Sequence, residues 1–205
     1  NPKNFSDACK KNTRLFFAES LGNPKLDVLD LDKISLESKK CKVPFMVDNT
    51  VATPALLNPI KHGANIVIYS LTKYINGNGT ALGGAIIDAG NFDWSNGNFP
   101  EFTSPSPGYH GLVYYEALGP AAFIAKVRVE GLRDLGAAIS PFNSFQILQG
   151  LETLDVRMKK HSENALKIAN WLDSLEEVSW VNYPGLQSSK FNSLAKKYLP
   201  NGQSG

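Results

Sequence analysis

Ile66-Val67-Ile68-Tyr69 runs directly into Ser70-Leu71-Thr72-Lys73. The first four residues are apolar, mostly β-branched and flanked by polar neighbours, the pattern of a buried strand in an α/β sheet. The next four then stand at the strand's C-terminal end, the edge where open α/β sheets hold their ligands. Ser70 and Thr72 offer hydroxyls and Lys73 offers an amine. Tyr74-Ile75-Asn76-Gly77-Asn78-Gly79 follows, rich in turn residues that let backbone approach a ligand closely. Taken alone, such a lysine is most often a solvated surface residue, and Ser and Thr most often cap or turn the chain. The sequence on either side decides between the two readings.

Upstream, Phe5 to Lys11 reads as the tail of a helix. Thr13-Arg14-Leu15-Phe16-Phe17-Ala18-Glu19 reads as a strand ending in the turn Ser20-Leu21-Gly22-Asn23-Pro24. Asp30 or Asp32 can cap a helix to about Lys40, with Leu31, Ile34 and Ser35 or Ser38 facing inward. Pro44-Phe45-Met46-Val47-Asp48 is a second strand, and Thr53 to Gly63 a short helical connection closed by Gly63. Strands spaced roughly 20 to 30 residues apart suit right-handed βαβ units and a parallel sheet.

Downstream, Gly83-Gly84-Ala85-Ile86-Ile87-Asp88 predicts a fourth strand and Asn91 to His110 a long loop of functional or interface type. Glu116 to Leu135 is mostly helical, and Pro141 opens a helix to Gln149. Leu151, Leu154, Met158 and His161 start a long amphipathic helix from about Glu152 to Leu175. Val178 to Tyr183 reads as a strand. The change of pattern near Gly150 predicts two domains, residues 1–150 and 151–205.

The 205 residues are 42% hydrophobic and 20% charged with a net charge of +2, an ordinary globular balance with no basic block for nucleic acid. No apolar run approaches a membrane span. Cys9 and Cys41 fit no metal or redox spacing, and reduced thiols of a cytoplasmic protein are expected. Asn1-Pro2-Lys3 carries no initiator Met and the end is turn-like, so a piece of a longer protein is expected.

The first three strands all end in polar residues at one edge: Glu19 to Asn23, Asp48 to Thr50, and Ser70 to Lys73. Asp48 is by default a turn cap, and Asn23 before Pro24 a turn residue. Together with an amine and two hydroxyls, a carboxylate and an amide are the groups that a pyridoxal 5′-phosphate site uses: amine for the aldehyde, carboxylate for the ring nitrogen, hydroxyls for the phosphate. Gly77-Asn78-Gly79 with Gly83 lacks the spacing of a dinucleotide loop. His62, His110 and His161 share no ligand spacing, so no metal site is expected.

Glu19-Ser20-Leu21-Gly22-Asn23-Pro24, Asp48-Asn49-Thr50 and Ser70-Leu71-Thr72-Lys73 resemble, in order and spacing, the pyridoxal phosphate enzymes of cysteine and methionine metabolism, relatives of cystathionine γ-synthase and methionine γ-lyase. Leu135 to Phe142, Gly150 to Leu154, and Arg157-Met158 with His161 to Ala165 resemble that family's later blocks. The segments Gly90-Asn91-Phe92-Asp93-Trp94, Phe99-Pro100 and Pro107 to Leu112 are similar to the insertion of its O-acetylhomoserine sulfhydrylase branch. The resemblance implies an α/β fold: an aspartate-aminotransferase-like (fold type I) large domain with a mostly parallel sheet, then the start of a small α/β domain. It implies Lys73 as the lysine that binds the cofactor, Asp48 at the pyridine nitrogen, Ser70 and Thr72 at the phosphate and Asn23 near the ring oxygen. It further implies γ-replacement on O-acetyl-L-homoserine with sulfide or a thiol, giving homocysteine or methionine, in a homodimer or homotetramer without nucleic-acid or membrane partners. A lyase or cystathionine γ-synthase of the same family, and a non-catalytic α/β binding domain or inactive fragment, remain open. Asn78 and Tyr69 stand where the family usually has His. Its Gly-rich phosphate loop and stacking Tyr would lie upstream of Asn1, and its carboxylate-gripping Arg downstream of Gly205, so about half a site is expected here.

Overall fold

The computed structural model describes residues 1–205. Three short apolar runs form parallel strands, β1 (Phe16–Glu19), β2 (Phe45–Asp48) and β3 (Ile66–Ser70), and β4 (Gly84–Asp88) closes the sheet antiparallel to β3 in the order β1-β2-β3-β4. Mostly parallel pairing follows from the helical connections; the reversal follows from the return of the chain through the turn after Lys73. Phe16, Phe45, Val47 and Val67 face the main core.

Helix α1 (Lys3–Asp7) precedes the sheet, and α2 (Leu31–Cys41) crosses from β1 to β2. The sequence reads Phe5 to Lys11 as the tail of a helix, yet α1 stops at Asp7. The Thr13 hydroxyl accepts the Lys10 amide at 2.9 Å, turning the chain out of helical geometry. In α2, Asp30 caps by accepting the Lys33 amide, and Leu31, Ile34, Ser35 and Ser38 are the buried residues, the face expected from the 3.6-residue period. Burying Leu31 and Ile34 contributes about 1.5–3 kcal/mol each. Between β2 and β3 lie α3 (Thr53–Leu56) and a 3₁₀ turn, Pro59–His62, which Gly63 ends at φ +86°.

The segment read as a loop, Asn91 to His110, is instead packed around its own aromatic core. It holds α4 (Pro100–Thr103) and a 3₁₀ turn at Pro107–Tyr109, and Trp94, Phe99 and Phe102 are buried with Tyr114 and Ala122. Trp94 stacks on Phe123 with ring centroids 5.1 Å apart. Here side-chain burial overrides a turn-rich composition. Then come α5 (Tyr114–Leu118), α6 (Ala122–Lys126) and a π-helical stretch Val127–Leu135.

Helix α7 (Pro141–Glu152) is capped by Ser140, and α8 (Leu154–Asp173) begins after a one-residue break at Thr153. Val178 to Tyr183, expected as a strand, forms none. It has no ladder partner and is tied by side chains instead: Asn182 Nδ2 donates to Lys25 O at 2.6 Å and Tyr183 Oη to Ser204 O at 2.7 Å. Helix α9 (Asn192–Tyr198), which the sequence reading missed, docks Ala195 and Tyr198 into the same core as Phe45, joined by Leu154 and Met158 of α8.

Candidate active site

Register decides which side chains can meet. Glu19 pairs with Asp48 and Asp48 with Ile68, so β1, β2 and β3 end along one edge. Asn49, fully buried, ties those ends together. Its Oδ1 accepts Ser20 Oγ at 2.7 Å, and its Nδ2 donates to Thr53 O at 3.1 Å, Leu57 O at 2.9 Å and Tyr69 Oη at 3.2 Å. Burial pushes the Tyr69 phenol up, against the Asn49 bond, so it stays a neutral partner. Thr50 extends the brace: its amide donates to Asp48 Oδ1 at 2.9 Å, and its Oγ1 accepts the Ser70 amide at 2.8 Å. On β1, the Asn23 amide donates to Glu19 Oε2 at 2.9 Å.

Above this edge opens a cavity of about 660 Å³, within the usual range for small-molecule sites. The structure brings Asn23, Asp48, Ser70 and Lys73 to its wall. Thr72 is not brought there. Its Oγ1 accepts the Gly83 amide at 3.1 Å and donates to Gly83 O at 3.3 Å, fastening the turn after β3 to the start of β4. Lys73 is exposed and belongs to none of the seven ion pairs. Its backbone closes the turn instead, with the Gly77 amide donating to Lys73 O at 2.8 Å.

Further residues to which the sequence reading gave no role at the cavity also line it, among them Thr50, Tyr74, Arg157 and His161. Arg157 and His161 come from α8. Their spacing of one helical turn puts them on one face, and both fall in a stretch that resembles one of the family's later blocks. Tyr74 packs against His161 with ring centroids 5.4 Å apart, and its hydroxyl donates to Gly205 O. Burial lowers the Arg157 pKa, and its guanidinium meets backbone carbonyls and a hydroxyl, not a carboxylate.

The donor set fits pyridoxal 5′-phosphate. An amine with no ion-pair partner, a half-buried carboxylate and a hydroxyl share one wall of a cavity large enough for a small cofactor and an amino acid. Lys73 would bond the aldehyde, Asp48 the ring nitrogen, Ser70 the phosphate and Asn23 the ring oxygen.

Comparison with known proteins bears on the same question. The family described as Cys/Met metabolism PLP-dependent enzyme matches residues 1–204. The O-acetyl-L-homoserine sulfhydrylase of Leptospira meyeri is 53% identical over 210 residues, covering 98% of this chain and 48% of the relative. The homocysteine/cysteine synthase of Saccharomyces cerevisiae is 48% identical over 208 residues, covering 100% of this chain and 47% of its own. Among solved structures, an O-acetylhomoserine (thiol)-lyase of Campylobacter jejuni, determined with N′-pyridoxyl-lysine-5′-monophosphate, superposes with a TM-score of 0.95 at 43% identity, over 100% of this chain and 51% of that one. An O-acetylhomoserine sulfhydrylase of Wolinella succinogenes gives 0.85 at 34% identity, over 99% and 56%. The chain spans about half the length of the curated relatives it matches.

Proposed function

Because the chain belongs to the Cys/Met metabolism PLP-dependent enzyme family, we propose that it is part of an enzyme that replaces the γ-acetoxy group of O-acetyl-L-homoserine with sulfide or a thiol, giving homocysteine or methionine and releasing acetate. The observation that carries this reading is Lys73: an amine without an ion-pair partner, at the C-terminal end of β3, on one cavity wall with Asp48 and Ser70.

Pyridoxal 5′-phosphate, when bound, supplies an aldehyde and an electron-withdrawing ring. The chain's own residues do the rest. Lys73 Nζ would hold the aldehyde at rest, and as a free amine it would move protons at the α and β carbons of the substrate. The Asp48 carboxylate holds a proton at the pyridine nitrogen, and Thr50, donating its amide to Asp48, keeps that carboxylate aimed. Ser70 binds phosphate oxygens and Asn23 orients the ring. Thr72 acts at one remove through Gly83, holding the turn that carries Lys73.

The same reading includes a large domain over residues 1–150 and the start of a second over 151–205, a homodimer or homotetramer, and a cytoplasmic location. The oligomer is supported by the apolar stripe of α7, where Phe142, Phe145 and Leu148 are 68%, 59% and 57% exposed. No helix is long and apolar enough to cross a membrane. Assaying the full-length protein with sulfide on O-acetyl- and O-succinyl-homoserine at equal concentration tests the reaction. Faster homocysteine formation from the acetyl ester is expected. Preference for the succinyl ester with cysteine, or release of ammonia and an oxo-acid without any thiol, would assign a different activity.

A further inference from the structure

Arg157 reaches from the first turn of α8 into the turn that carries Lys73. Its Nη1 donates to Tyr74 O at 2.7 Å. Its Nη2 donates to Gly150 O at 2.7 Å and Ile75 O at 3.4 Å, and its Nε donates to Thr153 Oγ1 at 3.0 Å. Two of these acceptors belong to the residues directly after Lys73, and a third to the end of α7. No carboxylate is among them. Burial pulls the guanidinium pKa down, so its charge is held by carbonyl dipoles.

The turn needs such a hold. Asn76 is fully buried, and its Oδ1 has no hydrogen-bond partner, a cost inside the turn itself. Next to it α7 presses so close that a Cβ on Gly150 would run into Asn76 O. The turn is therefore held both by a bare backbone on α7 and by a planar cation on α8, which are themselves joined through Gly150 O. A lysine in place of Arg157 offers one point charge and cannot fork across three carbonyls. The Arg157 side chain also lines the cavity beside Lys73.

We propose that Arg157 is a positioning residue for Lys73, fixing through the carbonyls of Tyr74 and Ile75 the place from which the amine enters the cavity. This rests on the reading of Lys73 as the cofactor lysine. It adds that α8, beyond the proposed domain boundary, sets the geometry of a residue more than eighty positions earlier.

The test uses the full-length protein and the variants Arg157→Ala and Arg157→Lys. In the cofactor-free form, hydrogen exchange at the Asn76 and Gly77 amides should speed up by at least about tenfold in Arg157→Ala, as loss of charge-assisted bonds to the turn predicts. In the holoenzyme, the pH midpoint of the cofactor's visible absorbance should shift. kcat should fall by at least about tenfold while KM for the ester changes little. Millimolar guanidinium should restore part of the kcat of Arg157→Ala, and Arg157→Lys should recover less than wild type. If Arg157→Ala does not fold, Arg157→Lys carries the same readouts. Lower thermal stability with an unchanged pH profile and unchanged kcat would reduce Arg157 to a structural brace and overturn the proposal. Borohydride reduction of the wild-type holoenzyme separates the two claims. If the cofactor is fixed on a residue other than Lys73, the reading of the site fails, whatever Arg157 does.

Discussion

Two polar clusters in this fold use charge in opposite ways. Where α9 meets the start of α2, each acid has a partner. Asp30 takes Lys33 Nζ at 2.9 Å and Tyr198 Oη at 2.8 Å; Asp32 takes Lys197 Nζ at 2.6 Å and His62 Nδ1 at 3.1 Å. The Tyr198 hydroxyl also accepts the Asp32 amide at 3.1 Å, and its ring meets His62 edge-on at 4.8 Å. Burial alone would raise the Asp32 carboxyl, yet hydrogen bonds from Lys197 and His62 hold it below its ordinary range. At the cavity, by contrast, Lys73 has no ion pair, Asp48 accepts the local Thr50 amide, and Arg157 faces carbonyls. Charges satisfied by one another hold elements together; charges left without a countercharge around a concavity are the ones available to a ligand.

The largest expected effect lies on the cavity side. Lys73→Ala in the full-length enzyme should lower turnover by at least about a thousandfold, because no second amine is placed to move the proton. Asp48→Asn comes next, with kcat down on the order of a hundredfold and the fold retained by circular dichroism. Near wild-type turnover in either variant would erase the contrast between the clusters. On the α9 side the effect should be structural and smaller. Asp32→Asn should leave kcat unchanged and cost about 0.5–1 kcal/mol in urea unfolding, since the acid is partly exposed. Its lowered pKa gives the sign: the stabilisation is present above the unfolded carboxyl pKa of about 3.9 and is lost as pH falls through the folded value. The gap between wild type and Asp32→Asn should therefore close below about pH 4. A gap that does not shrink at all as pH falls below about 3.9 would assign the stabilisation to packing.

The smallest effect sharpens the comparison with uncharged groups. Cys9 and Cys41 are far apart in sequence but interact in the fold. Burial first, and then the neighbouring Cys9 thiol, pushes the Cys41 thiol up to about 11. At neutral pH Cys41 should alkylate about tenfold more slowly than a thiol at the reference value of 9.0, and Cys9→Ala should speed it up. Equal rates for the Cys41 peptide in both proteins, followed by mass spectrometry, would remove Cys9 as a cause.

What could be read from the residues follows from the range of the interactions involved. The buried face of α2 was legible because Leu31, Ile34, Ser35 and Ser38 repeat with the helix period. The ends of β1, β2 and β3 were legible because short apolar runs stop at polar residues. Thr72 was not. Its hydroxyl follows the path of a turn to Gly83, which alternation along a strand does not describe. Arg157 was visible only as part of a family-like block; its role was not legible, since its partners are main-chain carbonyls that no side-chain pattern marks. The strand expected at Val178 to Tyr183 had the right composition and no neighbour to pair with. Helix α9 was missed because it is short, and it is fixed by Tyr198 reaching Asp30 across the fold.

The turn after Lys73 contains two Asn-Gly dipeptides, Asn76-Gly77 and Asn78-Gly79, which the fold treats differently. Asn76 is fully buried and donates Nδ2 to Ala81 O, whereas Asn78 and Gly79 are exposed at the rim. Spontaneous deamidation needs a mobile backbone amide to attack the side-chain amide, and an unhindered glycine gives the least resistance. Chemical ageing should therefore begin at Asn78, adding a negative charge near the cavity rim, while the buried Asn76 outlasts it. An old preparation would then lose affinity for its phosphate-bearing cofactor before it lost its fold.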